Sequence, residues 1–226
     1  MTAFAIDLSG TVALVTGAGA GSGRAIALSL AGCGAAVAAA DLNIERADAT
    51  SQLIHSRGGT AIALRVDISN RFQAANMIEQ TRDAFGQLRL LVNAASICHV
   101  RPLLQVDEWE WRRQLEVNLG GLFFCMQLAA RVLADEGGGA IINVLPAEAL
   151  ATLPAGVGAV AGAAGVIGLT RQAARELAEY KIRVNAIAAG DRRDPVTNLA
   201  LFLASQAANS ISGQLFYSDR PYPHWS

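Results

Sequence analysis

The sequence predicts an α/β protein, a doubly wound parallel sheet with helices on both faces. Three observations predict it. Short, almost wholly apolar runs alternate with helix-patterned segments nearly to the end of the chain, as in a sheet sandwiched between helices. The runs lack the polar alternation of strands with one wet face. The first run passes through a glycine-rich turn straight into a helix, in the stretch Thr11 to Arg24, TVALVTGAGAGSGR.

That turn organises the rest. Val12 to Val15 is the first strand, stopping at Thr16-Gly17, and Ile26, Leu28 and Leu30 mark the helix that follows. Gly17, Gly19, Gly21 and Gly23 let the backbone turn sharply and approach a ligand closely. A strand-to-helix turn aims the free N–H groups of the helix at one point, which suits a pyrophosphate. The second strand, Ala35 to Ala40, ends at Asp41, where an acid would bind a ribose 2′-hydroxyl. These features point to a dinucleotide fold rather than to an ordinary tight turn. The acid favours NAD over NADP, because it would repel a 2′-phosphate.

The remaining elements follow in order. A helix spans roughly Asn43 to Arg57 and closes at Gly58-Gly59. The third strand, Thr60 to Val66, ends at Asp67, an acid that either meets an adenine ring or caps the next helix. That helix, about Arg71 to Phe85, stops at Gly86, and Leu88 to Asn93 is the fourth strand. Asp107, with Glu110 at the capping-box position, opens a long helix to about Ala134. Ala140 to Leu145 is the fifth strand, Val157 to about Tyr180 another long helix, and Arg183 to Ala188 the sixth strand. A short helix (about Val196 to Ala204) and a last strand (about Gln214 to Ser218) complete a single domain, residues 1–226.

Composition narrows the function. Charged residues make up only 16% of the 226 residues and the net charge is −1, so neither nucleic acid nor an anionic membrane is an expected partner. No apolar run approaches the ~18 residues of a membrane span. Cys33, Cys98 and Cys125 are scattered and read as small buried residues in a reducing, cytoplasmic compartment. His55, His99 and His224 have no ligand spacing, so no metal is expected. Lys181 is the chain's sole lysine.

Taken together, the motifs resemble the short-chain dehydrogenase/reductase family over nearly the whole chain. Thr16-Gly17-x-x-x-Gly21-x-Gly23 matches its cofactor turn, and Leu91-Val92-Asn93-Ala94-Ala95-Ser96 its Asn-Asn-Ala-Gly turn. Val117-Asn118-Leu119-x-Gly121 matches the helix with the catalytic Asn, and Ala140 to Val144 the strand before the catalytic Ser. Gly165 to Thr170, Arg183 to Ile187, Gly213-Gln214 and Asp219 match later segments. The resemblance implies a Rossmann-type sheet of about seven strands in the order 3-2-1-4-5-6-7. It also implies NAD held by Gly17, Gly21, Gly23, Asp41, Asp67 and Asn93.

The family's chemistry needs a Tyr as proton donor or acceptor, a Lys that lowers its pKa, a Ser on the substrate oxygen and an Asn that holds a relay water. A free Tyr, with a pKa near ~10, is otherwise a poor base at neutral pH. Here Ala159 stands at the Tyr position and Ala163 at the Lys position, and Leu145 and Pro146 replace the paired serines. Only Asn118 survives. Tyr180, Tyr217 and Tyr222 all lie beyond the site. Ser96 replaces a glycine on the nicotinamide side, Ala189-Gly190 replaces Pro-Gly, and the Thr that follows it has no counterpart. The substrate-covering loop after the sixth strand is largely deleted, and the glycine pair after Asp219 has become Arg220-Pro221.

The frame and the adenosine half thus remain while the reacting half is gone. The expectation is a non-catalytic subunit in a hetero-oligomer with an intact relative, one oxidising a 3-hydroxyacyl thioester or a similar secondary alcohol. Its expected contacts are the two long helices, with small residues Gly158, Gly162, Ala163 and Gly165, and the aromatic C-terminus. The alternatives are a free-standing NAD-binding sensor and an enzyme with replacement acid/base groups drawn from Glu148, His99 and Asp191.

Overall fold

In a computed structural model, which describes residues 6–150, 156–190 and 193–218, seven parallel strands form one sheet. Their order is 3-2-1-4-5-6-7, as the resemblance implies. The strands are β1 (Val12–Thr16), β2 (Ala36–Asp41), β3 (Ala61–Arg65), β4 (Leu90–Asn93), β5 (Gly139–Pro146), β6 (Ile182–Ala189) and β7 (Leu215–Tyr217). All five residues of β1 are buried, and their register against Ala36–Ala40 on one side and Leu90–Asn93 on the other puts β1 at the centre. Parallel strands need crossovers, and the helices supply them: α1 (Gly21–Gly32), α2 (Ile44–Ser56), α3 (Arg71–Phe85), α4 (Glu108–Leu115), α5 (Leu122–Asp135), α6 (Val157–Glu176) and α7 (Arg193–Ala204). One face of the sheet packs against α1 and α7 through Ile26, Leu30, Val196 and Leu203. The other packs against α3 and α5 through Met77, Ile78, Met126 and Leu133.

Local chemistry sets the helix ends. Asn43 caps α2 by accepting from the Arg46 N–H, and Asn70 caps α3 by accepting from Phe72 and Gln73. Asp67 therefore does not cap α3. Asp107 caps α4 through the Glu110 N–H at 2.7 Å, but the Glu110 carboxylate pairs with Arg101 at 3.1 Å and not with its own helix, so only half of the capping box forms.

Three expectations change here. The helix from Glu108 to Asp135 is long and apolar enough to cross a membrane by length and composition, although half of that window is buried against the rest of the fold. Between α4 and α5 it loosens into a π turn over Glu116–Gly121, which carries Asn118. The small residues of α6 are spent inside the chain. A Cβ on Gly158 would lie 2.7 Å from Gln114 Nε2, and one on Gly165 2.9 Å from Leu119 Cδ1. The cysteines also divide: Cys125 is buried, with its thiol pushed up to about 12 by burial, whereas Cys98 is exposed.

Candidate dinucleotide cleft

A cleft of about 560 Å³ opens at the carboxyl ends of the central strands, where an open α/β sheet places its ligands. One wall is the glycine turn. Gly17 has φ +67°, and a Cβ on it would lie 2.7 Å from the Ala95 Cα. A Cβ on Gly23 would sit 2.2 Å from the Gly17 carbonyl oxygen, so both glycines are required by close backbone approach. Gly21 lines the cleft at the first position of α1. Unlike α2, α3 and α4, helix α1 has no side-chain cap. Its first N–H groups are left for a ligand, and an anion there is favoured by the helix dipole as well.

Asp41 stands at the end of β2 on the same cleft. Its Oδ2 accepts from the Gly19 N–H and its Oδ1 from the Asn43 N–H, both at 2.9 Å. A carboxylate has about four acceptor sites, so capacity for ribose hydroxyls remains. Asp67 also lines the cleft, tied to Ser69 (2.6 and 3.0 Å) and ion-paired with Arg113 at 3.2 Å. Burial alone would raise its pKa, but the Ser69 hydrogen bonds and the Arg113 guanidinium outweigh burial and hold the carboxyl below its usual range.

Two sequence candidates sit differently from their expected roles. Asn93 is buried, does not line the cleft, and donates from Nδ2 to Asn143 Oδ1 at 3.0 Å; Asn143 in turn donates to Thr170. Asn118 accepts from the Ile97 N–H at 2.8 Å and donates to the Ile97 carbonyl at 2.7 Å. Its side chain clamps the segment after β4. Arg113 and Arg46 also line the cleft and were not expected. Arg113 lies 46 residues from Asp67 on another element, a separation that carries no sequence signal.

The reacting half has a different character. Leu145, Ala159 and Ala163 are all buried and join Leu122, Ala149, Val166 and Ala186 in one apolar cluster. Pro146 ends β5 beside Ala189, and both line the cleft with Ser96, Glu148 and Gly190. His99 does not line it; its ring stacks on Trp109, with centroids 6.3 Å apart. Lys181 precedes β6, at the opposite end of the sheet, and Tyr180 and Tyr217 do not line the cleft. Asp191, Asp219, Tyr222 and His224 lie outside the described residues. The covering loop is short, since β6 ends at Ala189 and α7 starts at Arg193, a turn earlier than its apolar pattern indicates. No metal-binding group of three ligands occurs among the described residues.

Comparison with known proteins agrees with this architecture. The short chain dehydrogenase family profile matches residues 11–198. The chain belongs to that family. It is 36% identical to a 3-oxoacyl-acyl-carrier-protein reductase of Staphylococcus aureus, over 76% of this chain and 81% of the relative. It is 33% identical to a 3beta-hydroxysteroid dehydrogenase of Eggerthella lenta, over 81% and 72% of the two chains. Among solved structures, a protein assigned as a short-chain alcohol dehydrogenase from Sinorhizobium meliloti superposes with a TM-score of 0.90 at 36% identity, covering 95% of this chain and 97% of that one. A short-chain type dehydrogenase/reductase from Mycobacterium marinum also superposes with a TM-score of 0.90, at 29% identity. The chain is thus homologous to oxidoreductases of this family.

Proposed function

We propose that this chain is a non-catalytic member of its family that supports an active relative in a hetero-oligomer. The observation that carries the reading is that Ala159 and Ala163, at the positions where the family resemblance puts Tyr and Lys, are buried in an apolar cluster with Leu145, while Pro146, at the Ser position, lines the cleft. Among the described residues that cluster holds no hydroxyl or ammonium to move a proton at a substrate oxygen, and losing a general acid/base alone costs about 10²–10⁴-fold. The similarity to a 3-oxoacyl-acyl-carrier-protein reductase supports a partner that acts on a 3-oxoacyl or 3-hydroxyacyl thioester.

The cleft fits the adenosine half of NAD. Gly17, Gly21 and the uncapped start of α1 would hold the pyrophosphate, Asp41 the ribose, and Asp67 the adenine edge. When bound, a nicotinamide cofactor supplies hydride transfer, and this chain contributes binding and orientation only. Those same features support a second reading, a free-standing NAD sensor. A third, with Glu148 as replacement acid/base group, has in its favour that Glu148 lines the cleft.

Assay of homogeneous protein with NAD(H), NADP(H) and a 3-oxoacyl thioester separates these. No turnover alone, with native mass spectrometry showing a co-purified relative after co-expression from neighbouring genes, is the expected result. Turnover abolished by Glu148→Ala would establish the third reading. A monomer stabilised by NAD beside an expressed relative would establish the second.

A further inference from the structure

A second cleft, of about 840 Å³, opens at the opposite edge of the sheet, below the amino ends of β1, β4, β5 and β6. Three of its lining residues are cations, Arg89, Lys181 and Arg183, and none is a carboxylate. None of the three is ion-paired among the described residues. Two acids close in sequence to lining residues are engaged elsewhere, and a third, Glu179, lies two residues before Lys181 without lining the cleft. The Glu136 carboxylate is held by Arg82 and by the Leu88 N–H, and Asp7 accepts from the Ser9 N–H.

Both guanidinium groups are anchored. Arg89 donates from Nε to Gln87 Oε1 at 3.1 Å and from Nη1 to the carbonyls of Glu136 and Gly138, with no partner for Nη2 among the described residues. Arg183 donates to the Leu203 carbonyl at 2.8 Å and is partly buried, enough for burial to push its pKa down. The Ser212 hydroxyl accepts from the Val184 N–H, so its own proton is free to donate. The strongest sign is Lys181. It has φ +58°, and it is the only non-glycine residue at positive φ among the described residues. Glycine would take that helix-ending position without strain, yet the chain spends its sole lysine there. A cation near the carbonyl end of a helix is favourable by itself. That accounts for one positive charge, not for three around a cleft with no acid.

We propose that this basal cleft binds the phosphoryl group of a small molecule, gripped by Arg89, Lys181 and Arg183, at a site separate from the dinucleotide cleft. Phosphate matches what is left: Arg89 Nη2, the Lys181 ammonium and the Ser212 hydroxyl are not spent on carbonyls among the described residues. Arg183, held on the Leu203 and Ser205 carbonyls, adds its charge, and such donors suit a dianion's several acceptor oxygens. The space beyond one phosphate leaves room for the rest of the ligand. This site is independent of whether the chain is catalytic.

Thermal melting with pyrophosphate, against sodium chloride at matched ionic strength, tests it. The wild-type midpoint should rise by about 3–6 °C per tenfold increase above the dissociation constant. Lys181→Gly relieves the strained backbone, so this variant should start about 2–4 °C higher and lose most of the pyrophosphate response. Arg89→Gln should lose it too. Pyrophosphate also suits the glycine turn, so tungstate-soaked crystals locate the anion by its anomalous signal. Signal between Arg89, Lys181 and Arg183 is the expected result. Signal at the glycine turn alone, an undiminished response in both variants, or no wild-type response would each overturn the proposal and leave the arginines as carbonyl caps only.

Discussion

At the scale of single residues, the reacting half of the cleft is defined by what its side chains exclude. Ala159 and Ala163 are 2% and 3% exposed and packed among Leu122, Leu145 and Val166. Ala159→Tyr with Ala163→Lys would force bulk into a filled cluster, a change that costs about 1–3 kcal/mol. The expected outcome is a melting midpoint lowered by about 2–12 °C with no dehydrogenase activity, even with Pro146→Ser added, because the short β6–α7 connection still leaves a substrate uncovered. Calorimetry and a cofactor-oxidation assay check it. Asp67 permits a second prediction. Its folded pKa is depressed, so its contribution to stability is present above the unfolded value near ~3.9 and is lost as pH falls through the lower folded value. Asp67→Asn should therefore be less stable than wild type at pH 7, and the difference should close below about pH 4. Denaturant melts at pH 7, 5, 4 and 3 measure it; a constant difference would mean that Ser69 and Arg113 bind the amide as well as the carboxylate. The Asp67 acid was legible in the sequence as the end of an apolar run. Its use was not, because Asn70 takes the capping role three residues on and Arg113 arrives from a distant helix.

At the scale of elements, the fold was legible wherever burial on both faces imposed an unbroken apolar run. The runs in β1, β2 and β4 to β6 are of this kind, and their observed ends differ from expectation by a residue or two. The π turn was not legible, because Glu116–Gly121 has an ordinary helical pattern and the loosening serves tertiary packing. It presents Asn118 to Ile97, so one side chain satisfies both the N–H and the C=O of a residue in the segment that lines the cleft. Asn118→Ala would leave both groups to find water or remain unpaired, at a cost of about 1–3 kcal/mol. Hydrogen exchange should then accelerate in residues 96–106 while the amides of β1 and β5 stay protected. Asn118 thus has a structural role in this chain, whatever chemistry the cleft performs. Equal exchange in both proteins would mean that the segment is held by other contacts, such as Gln114 to the His99 N–H.

For the whole molecule, the proposed non-catalytic role requires that a chain with this sheet, these layers, this glycine turn and the apolar cluster of Leu145, Ala159 and Ala163 acts through its frame and its surfaces. The stripe of small residues on α6 is used within the chain against α4 and the π turn, which leaves other faces as the better candidates to meet a partner. The outward groove between α5 and α6 remains. It has a volume of about 580 Å³ and is lined mainly by apolar side chains, Phe123, Met126, Ala130 and Leu177 among them, with Tyr180 46% exposed at its end. Aromatic groups that are partly exposed in an apolar groove are favoured interface anchors. Phe123→Asp should therefore weaken the complex with the co-expressed relative by at least tenfold, about 1.4 kcal/mol, while the isolated chain keeps its far-ultraviolet spectrum. Deletion of Pro221 to Ser226, a Pro-Tyr-Pro-His-Trp-Ser tail outside the described residues, is expected to weaken the same complex without unfolding the domain. Titration of the purified subunits by sedimentation distinguishes the two surfaces. If Phe123→Asp pairs as tightly as wild type while the deletion does not, assembly runs through the C-terminal edge beside β7. If neither change matters, or the chain stays monomeric beside its relative, the subunit reading fails and the dinucleotide cleft must act alone.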